Sequence, residues 1–304
     1  NVNFHIAEGA TLKFDPDPAK YPLVFTRWEG VECMNYSPLI YAYEQTNVAV
    51  TGGGTLDGSA SSENWLAWKS KKPLLQDPAR KDLFKMGEDG VPVEKRVFGD
   101  GHYLRPNFIQ FYRCKNVLIE GVTISASPMW VIHPALCTNV TVRGVTVRSH
   151  GVNSDGCDPE SCTDALVEDC TFSTGDDCIA LKSGRDNDGR RVGKPVENVV
   201  IRNCTIHDGH GGVTIGSEIS GGARNVFVEN IRMDSPNLDR AIRFKSNARR
   251  GGVMENIDIR NVSIGRVGVA VSLELDYAGA TKGPHAPVVR NVNIENVTSD
   301  SCGQ

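Results

Sequence analysis

The sequence predicts a right-handed parallel β-helix, in which short strands stack coil upon coil. One observation is a recurring phrase of the type Asn-Val-x-Val, whose copies are spaced by 23 residues (Asn116 to Asn139) to 35 residues (Asn256 to Asn291). A second is that each copy holds two segments with the period-2 alternation of strands, separated by Gly, Asn or Asp. A third is that the copies leave no room for the crossover helix of about a dozen residues that a doubly wound sheet needs.

Repeats of this length stack into a solenoid, because a single unit cannot bury its apolar face alone. We therefore expect one β-helix domain over residues 1–304, interrupted at about 58–107 by an insertion that lacks the repeat. Both ends read as strand, so we expect them to be cut from a longer protein. The copies begin at Asn47, Asn116, Asn139, Asp164, Asn198, Asn225, Asn256 and Asn291.

Composition restricts the class of partner. With 33 Lys+Arg against 37 Asp+Glu, the chain lacks the basic excess that is typical of a nucleic-acid binder. No apolar run approaches the roughly 20 residues of a membrane-spanning helix, so we expect no membrane insertion. The first residues lack the charged and apolar zones of a signal peptide, and we expect any export signal to precede them.

Four asparagines of the repeat, at 139, 203, 261 and 296, match the glycosylation sequon. The repeat generates Asn-apolar-Thr or Asn-apolar-Ser by itself, and asparagines at turns bond the neighbouring backbone. We therefore predict a structural role for them and assign no glycan.

The nine cysteines are an odd number, which a complete set of disulfides cannot absorb. Cys157 and Cys162 both lie near a turn and are the pair that we expect to form a disulfide, if any does. Five of the nine, including Cys162, recur at fixed positions of the repeat, which predicts a ladder of small buried side chains rather than metal ligands or catalytic thiols. The ladder positions are Cys114, Cys137 and Cys162, and Cys170 and Cys204.

Three carboxylates and one histidine follow the strands of consecutive copies. Measured from the residue that opens each copy, Asp155 lies at offset 16, Asp176 and Asp177 at 12 and 13, and His210 at 12. Stacked coils bring such residues to about 5 Å when they are adjacent and to about 7–8 Å on the diagonal. The wider spacing leaves room for a water between an acid and a base, as inverting hydrolysis of a glycosidic bond requires.

The Asp176-Asp177 pair can supply both functions. Two like charges so close raise one pKa, so that the protonated carboxyl is the general acid while its partner and Asp155 hold a nucleophilic water. A lone Gly-Asp-Asp is more often a turn, and a lone histidine such as His210 is more often a structural hydrogen-bonding group. Their coincidence on neighbouring copies favours a catalytic site.

Two cations follow one copy later. In Arg243-Phe244-Lys245 the cations face one side of a strand and the ring faces the other. Cations on the groove side favour an anionic substrate, because Arg clamps a carboxylate with two hydrogen bonds and Lys adds a point charge. Solvated surface charge is the competing explanation.

The motifs resemble those of glycoside hydrolase family 28, which includes polygalacturonases and rhamnogalacturonan hydrolases. Ser154 stands where fungal members usually have Thr, and Phe244 replaces the usual Ile; we expect neither departure to matter for proton transfer. A later Asp276-Tyr277 resembles the tyrosine that contacts the sugar near the cleavage point. The matching motifs are Asn153-x-Asp155, Gly175-Asp176-Asp177, Gly209-His210-Gly211 and Arg243-x-Lys245.

The resemblance implies inverting hydrolysis of α-1,4-galacturonosidic bonds without a metal or organic cofactor. Asp176 would be the general acid, and Asp155 and Asp177 would activate water, with His210 supporting the acid. The complete charged set favours an anionic pectic polysaccharide or oligogalacturonide as substrate, and a polymeric substrate implies a secreted or periplasmic enzyme. The implied substrate-binding residues are Asn153, Lys182, Arg243, Lys245 and Tyr277.

The insertion mixes tryptophans with basic residues, and long insertions often form lids or binding loops. Together with a resemblance to bacterial exo-type members, this predicts that it closes one end of the groove and makes the enzyme exo-acting. A smaller insertion, 183–194, either lines the same groove or is a solvated loop. The residues concerned are Trp65, Trp68, Lys69, Lys71, Lys72, Lys95, Arg96, His102 and Arg105, and in the smaller insertion Arg185, Arg190 and Arg191.

Three other functions remain open. The first is hydrolysis of rhamnogalacturonan or another pectin backbone. The second is a pectate lyase, whose calcium the acids could hold. The third is a non-catalytic β-helix that binds carbohydrate, because one fold hosts many functions.

Overall fold

A computed structural model describes residues 1–302 as 23 strands, three α-helices and three 3₁₀ turns. Nearly all strands pair in parallel, each with the strand of the next coil. In chain order the strands are β1 (Val2–His5), β2 (Thr11–Lys13), β3 (Leu23–Trp28), β4 (Val31–Tyr36), β5 (Ile40–Tyr43), β6 (Thr46–Thr51), β7 (Thr55–Asp57), β8 (Ile109–Tyr112), β9 (Lys115–Glu120), β10 (Thr123–Ser125), β11 (Thr138–Arg143), β12 (Thr146–Ser149), β13 (Thr163–Glu168), β14 (Thr171–Thr174), β15 (Ile179–Leu181), β16 (Val196–Arg202), β17 (Thr205–Ile206), β18 (Val213–Ile215), β19 (Ala223–Met233), β20 (Arg240–Lys245), β21 (Val253–Val267), β22 (Val269–Glu274) and β23 (Val288–Cys302).

The strands form three walls around one core, and the predicted right-handed parallel β-helix is confirmed. The first wall runs β1-β6-β9-β11-β13-β16-β19-β21-β23, and the second runs β2-β7-β10-β12-β14-β17 before it merges into the long strands of the first. The third wall runs from β5 and β8 to β15, β18, β20 and β22, and single bridges at Ile132 and Cys157 connect its two parts.

The core consists of inward side chains in register from coil to coil. Because alternate residues of a strand point to one face, the apolar members of Asn-Val-x-Val all enter the core. β-Branched residues pack well on such a pleated surface. One buried column on the first wall contains Val50, Ile119, Val142, Val167, Ile201, Val228 and Ile259.

The asparagines form two ladders at the corners, as a structural role predicts, although their partner differs from the expected one. Asn116 donates its side-chain amide to Asn47 Oδ1 at 2.7 Å, and Asn139 donates to Asn116 at 2.9 Å. The sequon asparagine Asn203 accepts from Asn230 in the same way. All of these residues have a positive φ, near 55°, and the side chains bond the next coil's asparagine rather than backbone.

The cysteine ladder is confirmed, and the candidate disulfide is not formed. Cys137 Sγ accepts from the backbone N–H of Cys114 at 3.3 Å, and these cysteines are buried. Within residues 1–302 every cysteine is free, including Cys157 and Cys162. Cys157 lies on the third wall in register with Ile179, whereas the thiol of Cys162 lies at the next corner and donates to Pro134 O.

Two segments depart from the repeat and pack outside the third wall. The antiparallel hairpin β3–β4 precedes the regular coils, and the segment 58–107 holds α1 (Ala67–Ser70) and α2 (Gln76–Glu88). A third helix, α3 (Asp186–Val192), lies in the smaller insertion. These helices were not predicted, although the buried positions of α2 follow a helical spacing at Gln76, Ala79, Leu83 and Gly87.

Hairpin and insertion share a second apolar cluster beside the β-helix, which fixes their position over the third wall. It includes Trp28, Val31, Leu83, Phe98 and Trp130. Among the described residues, none of the helices is long and apolar enough to span a membrane.

Candidate active site

The predicted acids meet on the outer face of the third wall. Cys157 and Ile179 are in register on neighbouring coils. Asp155 and Asp177 each precede one of these two residues by two positions, so the regular stacking places their side chains on adjacent levels. Asp176 precedes Asp177 at the same turn, and its carboxylate also reaches the groove.

The three carboxylates lie closer together than the predicted diagonal spacing. One oxygen from each of Asp155, Asp176 and Asp177 lies within 4.8 Å of the others. The oxygens therefore match the spacing of about 5 Å that was expected for adjacent positions and not the roughly 7–8 Å of the diagonal, and the consecutive Asp176 and Asp177 share the turn before β15. Asp155 and Asp177 are fully buried, while Asp176 is partly exposed to the groove.

The raised pKa falls on a different carboxyl from the predicted one. Burial, reinforced by Asp176 nearby, raises the pKa of Asp155 well above its usual value. Burial would also raise the pKa of Asp176, but a hydrogen bond from His210 and the charge of Lys245 hold it below the usual value. Asp155 therefore takes up a proton more readily than Asp176 does in the free protein.

Two ammonium groups occupy the space around this cluster. Lys245 Nζ lies 2.5 Å from Asp177 Oδ2, and Lys182 Nζ lies 3.3 Å from Asp155 Oδ2. Three carboxylates at this spacing could hold a metal ion. The two lysines already supply positive charge at those oxygens, so the residues fit a metal ion poorly.

Lys182 is held by three carboxylates and a ring. Its Nζ lies 3.3 Å from Glu218 Oε2, 3.7 Å from Asp158 Oδ1 and 4.3 Å from the centre of the Trp130 ring. The sequence did not single out Asp158, Glu218 or Trp130. Glu218 and Trp130 come from other coils, and only stacking brings them to Lys182.

Arg243 and Lys245 point to the same side of β20 as predicted, with Phe244 buried. Their environments differ. Lys245 lines the cavity described below, whereas the guanidinium of Arg243 makes two hydrogen bonds to Glu274, at 3.1 and 3.0 Å. Tyr277 covers both cations, with its ring centre 5.6 Å from Arg243 Cζ and 5.3 Å from Lys245 Nζ.

His210 lies beside the candidate acid. Its Nδ1 is 3.3 Å from Asp176 Oδ1, and about half of its side chain is exposed. The hydrogen bond to Asp176 raises the pKa of His210. Gly211 is required next to it, because a Cβ there would lie 2.7 Å from Asp177 Oδ1 and 2.2 Å from Thr214 Oγ1.

Asn153 lines the cavity, and its side chain is fixed by the insertion. Asn153 Oδ1 accepts a 2.7 Å hydrogen bond from Arg105, which also donates to Gln76 Oε1 and to two backbone carbonyls. Arg105 is buried and does not line the cavity. It therefore acts as a support for Asn153 and not as the groove cation that the sequence predicted.

Asp155 and Asp176 open into a cavity of about 200 Å³ that is also lined by Lys182, Lys245 and Tyr277, while Asp177 lies behind its lining. One side of this cavity is formed by three residues that we call the end wall: Glu29, Arg80 and Arg185. They come from the hairpin tip, from α2 and from the smaller insertion.

Ion pairs and close packing hold the end wall together. Glu29 Oε2 lies 2.9 Å from Arg80 and 3.2 Å from Arg185, and both guanidinium groups cover the ring of Phe84. Gly30 is needed at the hairpin tip, since a Cβ would lie 2.7 Å from the backbone N of Arg185. Arg250, itself bonded to Glu218 and Asp186, adds a further cation to the cavity.

Most of the insertion residues that the sequence predicted for the groove lie elsewhere. Trp65 is buried in an aromatic cluster with Tyr21, Tyr36 and Trp68, and Arg96 is buried against Asp188. Of the smaller insertion only Arg185 lines the cavity. Arg190 bonds backbone and Asn187, Arg191 pairs with Glu32 and Asp188, and the remaining residues, Lys69, Lys71, Lys72, Lys95 and His102, are outside the cavity lining.

Comparison with protein families gives a match over residues 97–303 to the glycosyl hydrolases family 28. The chain belongs to this family. The resemblance expected from the sequence motifs is thus confirmed.

Individual family 28 relatives cover nearly the whole chain. A probable polygalacturonase of Vitis vinifera is 28% identical over 96% of this chain and 56% of its own length. The exo-poly-alpha-D-galacturonosidase of Dickeya chrysanthemi is 24% identical over 91% of this chain and 49% of its own. The crystal structure of a hyperthermoactive exopolygalacturonase from Thermotoga maritima is 49% identical, with a TM-score of 0.94, over 97% of this chain and 68% of that one. The chain spans about half the length of the curated relatives.

Proposed function

We propose that this protein is an exo-acting hydrolase of polygalacturonan, the α-1,4-linked galacturonate polymer of pectin. The observation that carries the proposal is the group of three carboxylates beside the cavity, of which Asp155 and Asp177 are buried and face lysine ammonium groups while Asp176 is partly exposed to the cavity. Family 28 membership and the exo-type relatives support the same activity. A substrate of this size places the enzyme outside the cytoplasm.

Three carboxylates with one shared proton can supply an acid and a base together. Asp176, which faces the groove, donates the proton to the glycosidic oxygen as the bond from that oxygen to the anomeric carbon breaks. A water attacks the same carbon and gives its proton to Asp155 or Asp177. Asp155 takes up a proton more readily than Asp176 in the free enzyme, so catalysis needs transfer of that proton to Asp176, over a distance that one water can bridge.

The close spacing of the acids still accommodates a nucleophilic water. Two oxygens 4.8 Å apart can both accept from one water at about 2.8 Å, with an angle near 120° at the water. Direct displacement by such a water inverts the configuration at the anomeric carbon. The spacing is shorter than the roughly 6.5–9.5 Å typical of inverting enzymes, so inversion rests on this water and on the family resemblance.

The end wall supports attack at chain ends. A cavity of about 200 Å³ is smaller than the roughly 300–1,000 Å³ of ordinary ligand sites and suits one sugar residue. Glu29 also presents a carboxylate where a further uronate would have to pass. Lys245, Arg250 and Tyr277 remain available in the cavity for the uronate that is cleaved.

A pectate lyase is the second candidate. It needs a bound calcium ion and a basic residue that abstracts a proton, and the acids of this site already face ammonium groups. Hydrolysis therefore suits these residues better than elimination does.

Product analysis on polygalacturonate tests the proposal. Reducing ends, product lengths and unsaturation are measured in the same samples for the native protein and for Asp176→Asn, with and without chelator. Saturated monogalacturonate from the native protein alone, unaffected by chelator, is the expected result. Mixed long oligomers at early times would contradict the exo mode, and unsaturated products lost on chelation would indicate a lyase. Binding without release of reducing ends would indicate a carbohydrate-binding protein.

A further inference from the structure

Lys182 is placed where it cannot serve a substrate in the way that a surface lysine would. Its side chain is 2% exposed, and its ammonium is enclosed by Asp155, Asp158, Glu218 and the face of Trp130. A substrate carboxylate that bound there would have to displace one of three carboxylates that are already within 3.7 Å.

Charge within this enclosure does not balance. One ammonium faces three carboxylates, all removed from water, and burial makes each uncompensated charge costly. Glu218 stays ionised, because Lys182, Arg185 and Arg250 outweigh its burial and hold its pKa well below the usual value. Asp155 and Asp158 therefore compete for the remaining positive charge of Lys182.

Asp158 is the unusual member of the group. It is fully buried, and neither of its carboxylate oxygens has a hydrogen-bond partner among the described residues. The Lys182 ammonium lies 3.7 Å from its Oδ1. It lies three residues after Asp155 and never reaches the groove, so it acts on the chemistry only through Lys182 and Asp155.

We propose that Lys182 is a positioning residue rather than a substrate ligand: its enclosed ammonium stabilises the ionised form of Asp155 and so drives the shared proton towards Asp176, while Asp158 moderates this effect. The inference rests on the proposed hydrolytic function and assigns control of the proton's location to a residue that lines the cavity but whose ammonium is enclosed by the protein's own carboxylates. It replaces the substrate-binding role that the sequence predicted for Lys182.

The groups that face Asp155 and Lys182 come from several elements, and each acts on the same proton. Those of positive charge favour the ionised form of Asp155, and those of negative charge oppose it. They are Asp158 from the same coil, His133 from the preceding one, Asp176 and Asp177 before β15, Glu218 after β18, and Lys245 of β20.

The pH dependence of kcat/KM on oligogalacturonate tests the inference. At the acid limb the three catalytic carboxyls take up a second proton, and loss of the Lys182 charge favours that uptake. Lys182→Met is therefore expected to move the acid limb upward by about one pH unit or more, with KM within about threefold of the native value. Lys182→Arg, which keeps the charge, is expected to move the limb less.

Two further variants keep the test independent of how well Lys182→Met folds. Asp158→Asn removes the competing carboxyl in the presence of Lys182, so the acid limb is expected to move downward. Because burial raises the pKa of Asp158 well above its usual value, this movement should be smaller than the upward movement in Lys182→Met. The double variant Lys182→Met with Asp158→Asn is expected to return the limb towards the native position. Circular dichroism and the thermal midpoint establish that each variant is folded before its profile is read.

Two results would overturn the inference, and a third would overturn the proposed function instead. A KM raised tenfold or more in Lys182→Met, with the acid limb unmoved, would show that Lys182 binds substrate and would overturn the inference. An unmoved limb in Asp158→Asn would overturn it as well. If the native protein does not hydrolyse oligogalacturonate at all, the proposed function is wrong. If the native protein is active and the variants keep its pH profile, only the inference about Lys182 is wrong.

Discussion

The first and third walls of this β-helix both stack charged residues in register, but only on the third wall are both members of an ion pair buried; on the first wall Glu168 is buried while the arginines beside it are exposed. On the first wall Glu and Arg alternate from coil to coil, with Arg143 2.5 Å from Glu168 and Arg202 2.7 Å from the same carboxylate. Their guanidinium side chains are more than 40% exposed. On the third wall Asp177 and Lys245 form a similar contact at 2.5 Å, and both are buried.

The difference teaches that the repeat determines how the charged residues are spaced, while the added segments determine whether water reaches them. Exposed pairs on the first wall are screened by water and contribute little. On the third wall, the hairpin β3–β4 and the helices of the two insertions cover the stacked charges and exclude water. There each charge shifts its neighbour's pKa, which is the condition for an acid and a base to coexist.

The largest difference between the walls is expected on replacing one acid of each. Asp177→Asn should lower kcat by about 10²–10⁴-fold, because a base for water is lost and Lys245 is left without its partner. Glu168→Gln on the first wall is the matched control and should keep the native kcat. Steady-state kinetics on oligogalacturonate measures both, and equal losses in the two variants would break the comparison.

Glu218→Gln is expected to have the next largest effect, on stability. The carboxylate faces Lys182, Arg185 and Arg250. Removing it leaves buried cations uncompensated, which should lower the free energy of unfolding by about 3–5 kcal/mol. Its pKa is held well below 4.5, so this stabilisation is complete above about pH 4.5 and is lost as the pH falls towards the folded-state pKa. Thermal unfolding at neutral and at acid pH measures it. A deficit that stays constant down to pH 3 would contradict the ionic origin.

His210→Gln should produce a moderate effect, because this side chain is half exposed. The hydrogen bond from His210 lowers the pKa of Asp176. Without it Asp176 keeps its proton to higher pH, so the alkaline limb of kcat/KM should move upward while kcat falls by about tenfold. A downward shift of that limb would contradict the assignment of Asp176 as the acid.

The smallest effect is expected on the first wall. Arg260→Ala removes an exposed pair with Glu229, whose atoms lie 2.7 Å apart. The thermal midpoint should stay within about 2 °C of the native value, and 1 M salt should abolish the difference. A large loss of stability, insensitive to salt, would show that the stacked charges of the first wall act as a network.

The same comparison explains what the sequence predicts well. The coils and the asparagine ladders follow the repeat, and the acids lie at similar offsets within consecutive copies. Their positions therefore follow from counting residues from Asn139 or Asp164. Register then carries Asp155, Asp176, Asp177 and His210 to one place without any knowledge of the rest of the chain.

The segments that enclose the site have no repeat. The sequence indicated that the two insertions lie at the groove and it named Arg185, but it did not single out Glu29 or Arg80. Glu29, Arg80 and Arg185 meet through contacts between residues that are far apart in the chain, which no local pattern encodes. Composition suggested Trp65, Arg96 and Arg105 for the groove, but bulky and charged residues also serve to anchor an insertion, as these three do. The exact spacing of the acids likewise depends on a turn that strand distances do not describe.

The most direct test of the account is the anomeric form of the first product. Proton NMR at the start of hydrolysis of an oligogalacturonate distinguishes the two anomers before they equilibrate. A water held between carboxylates up to 4.8 Å apart attacks the anomeric carbon directly and inverts its configuration. The β-anomer is therefore expected to appear first from the α-linked substrate. Initial appearance of the α-anomer would contradict it, because one aspartate would then have formed a covalent bond to the sugar.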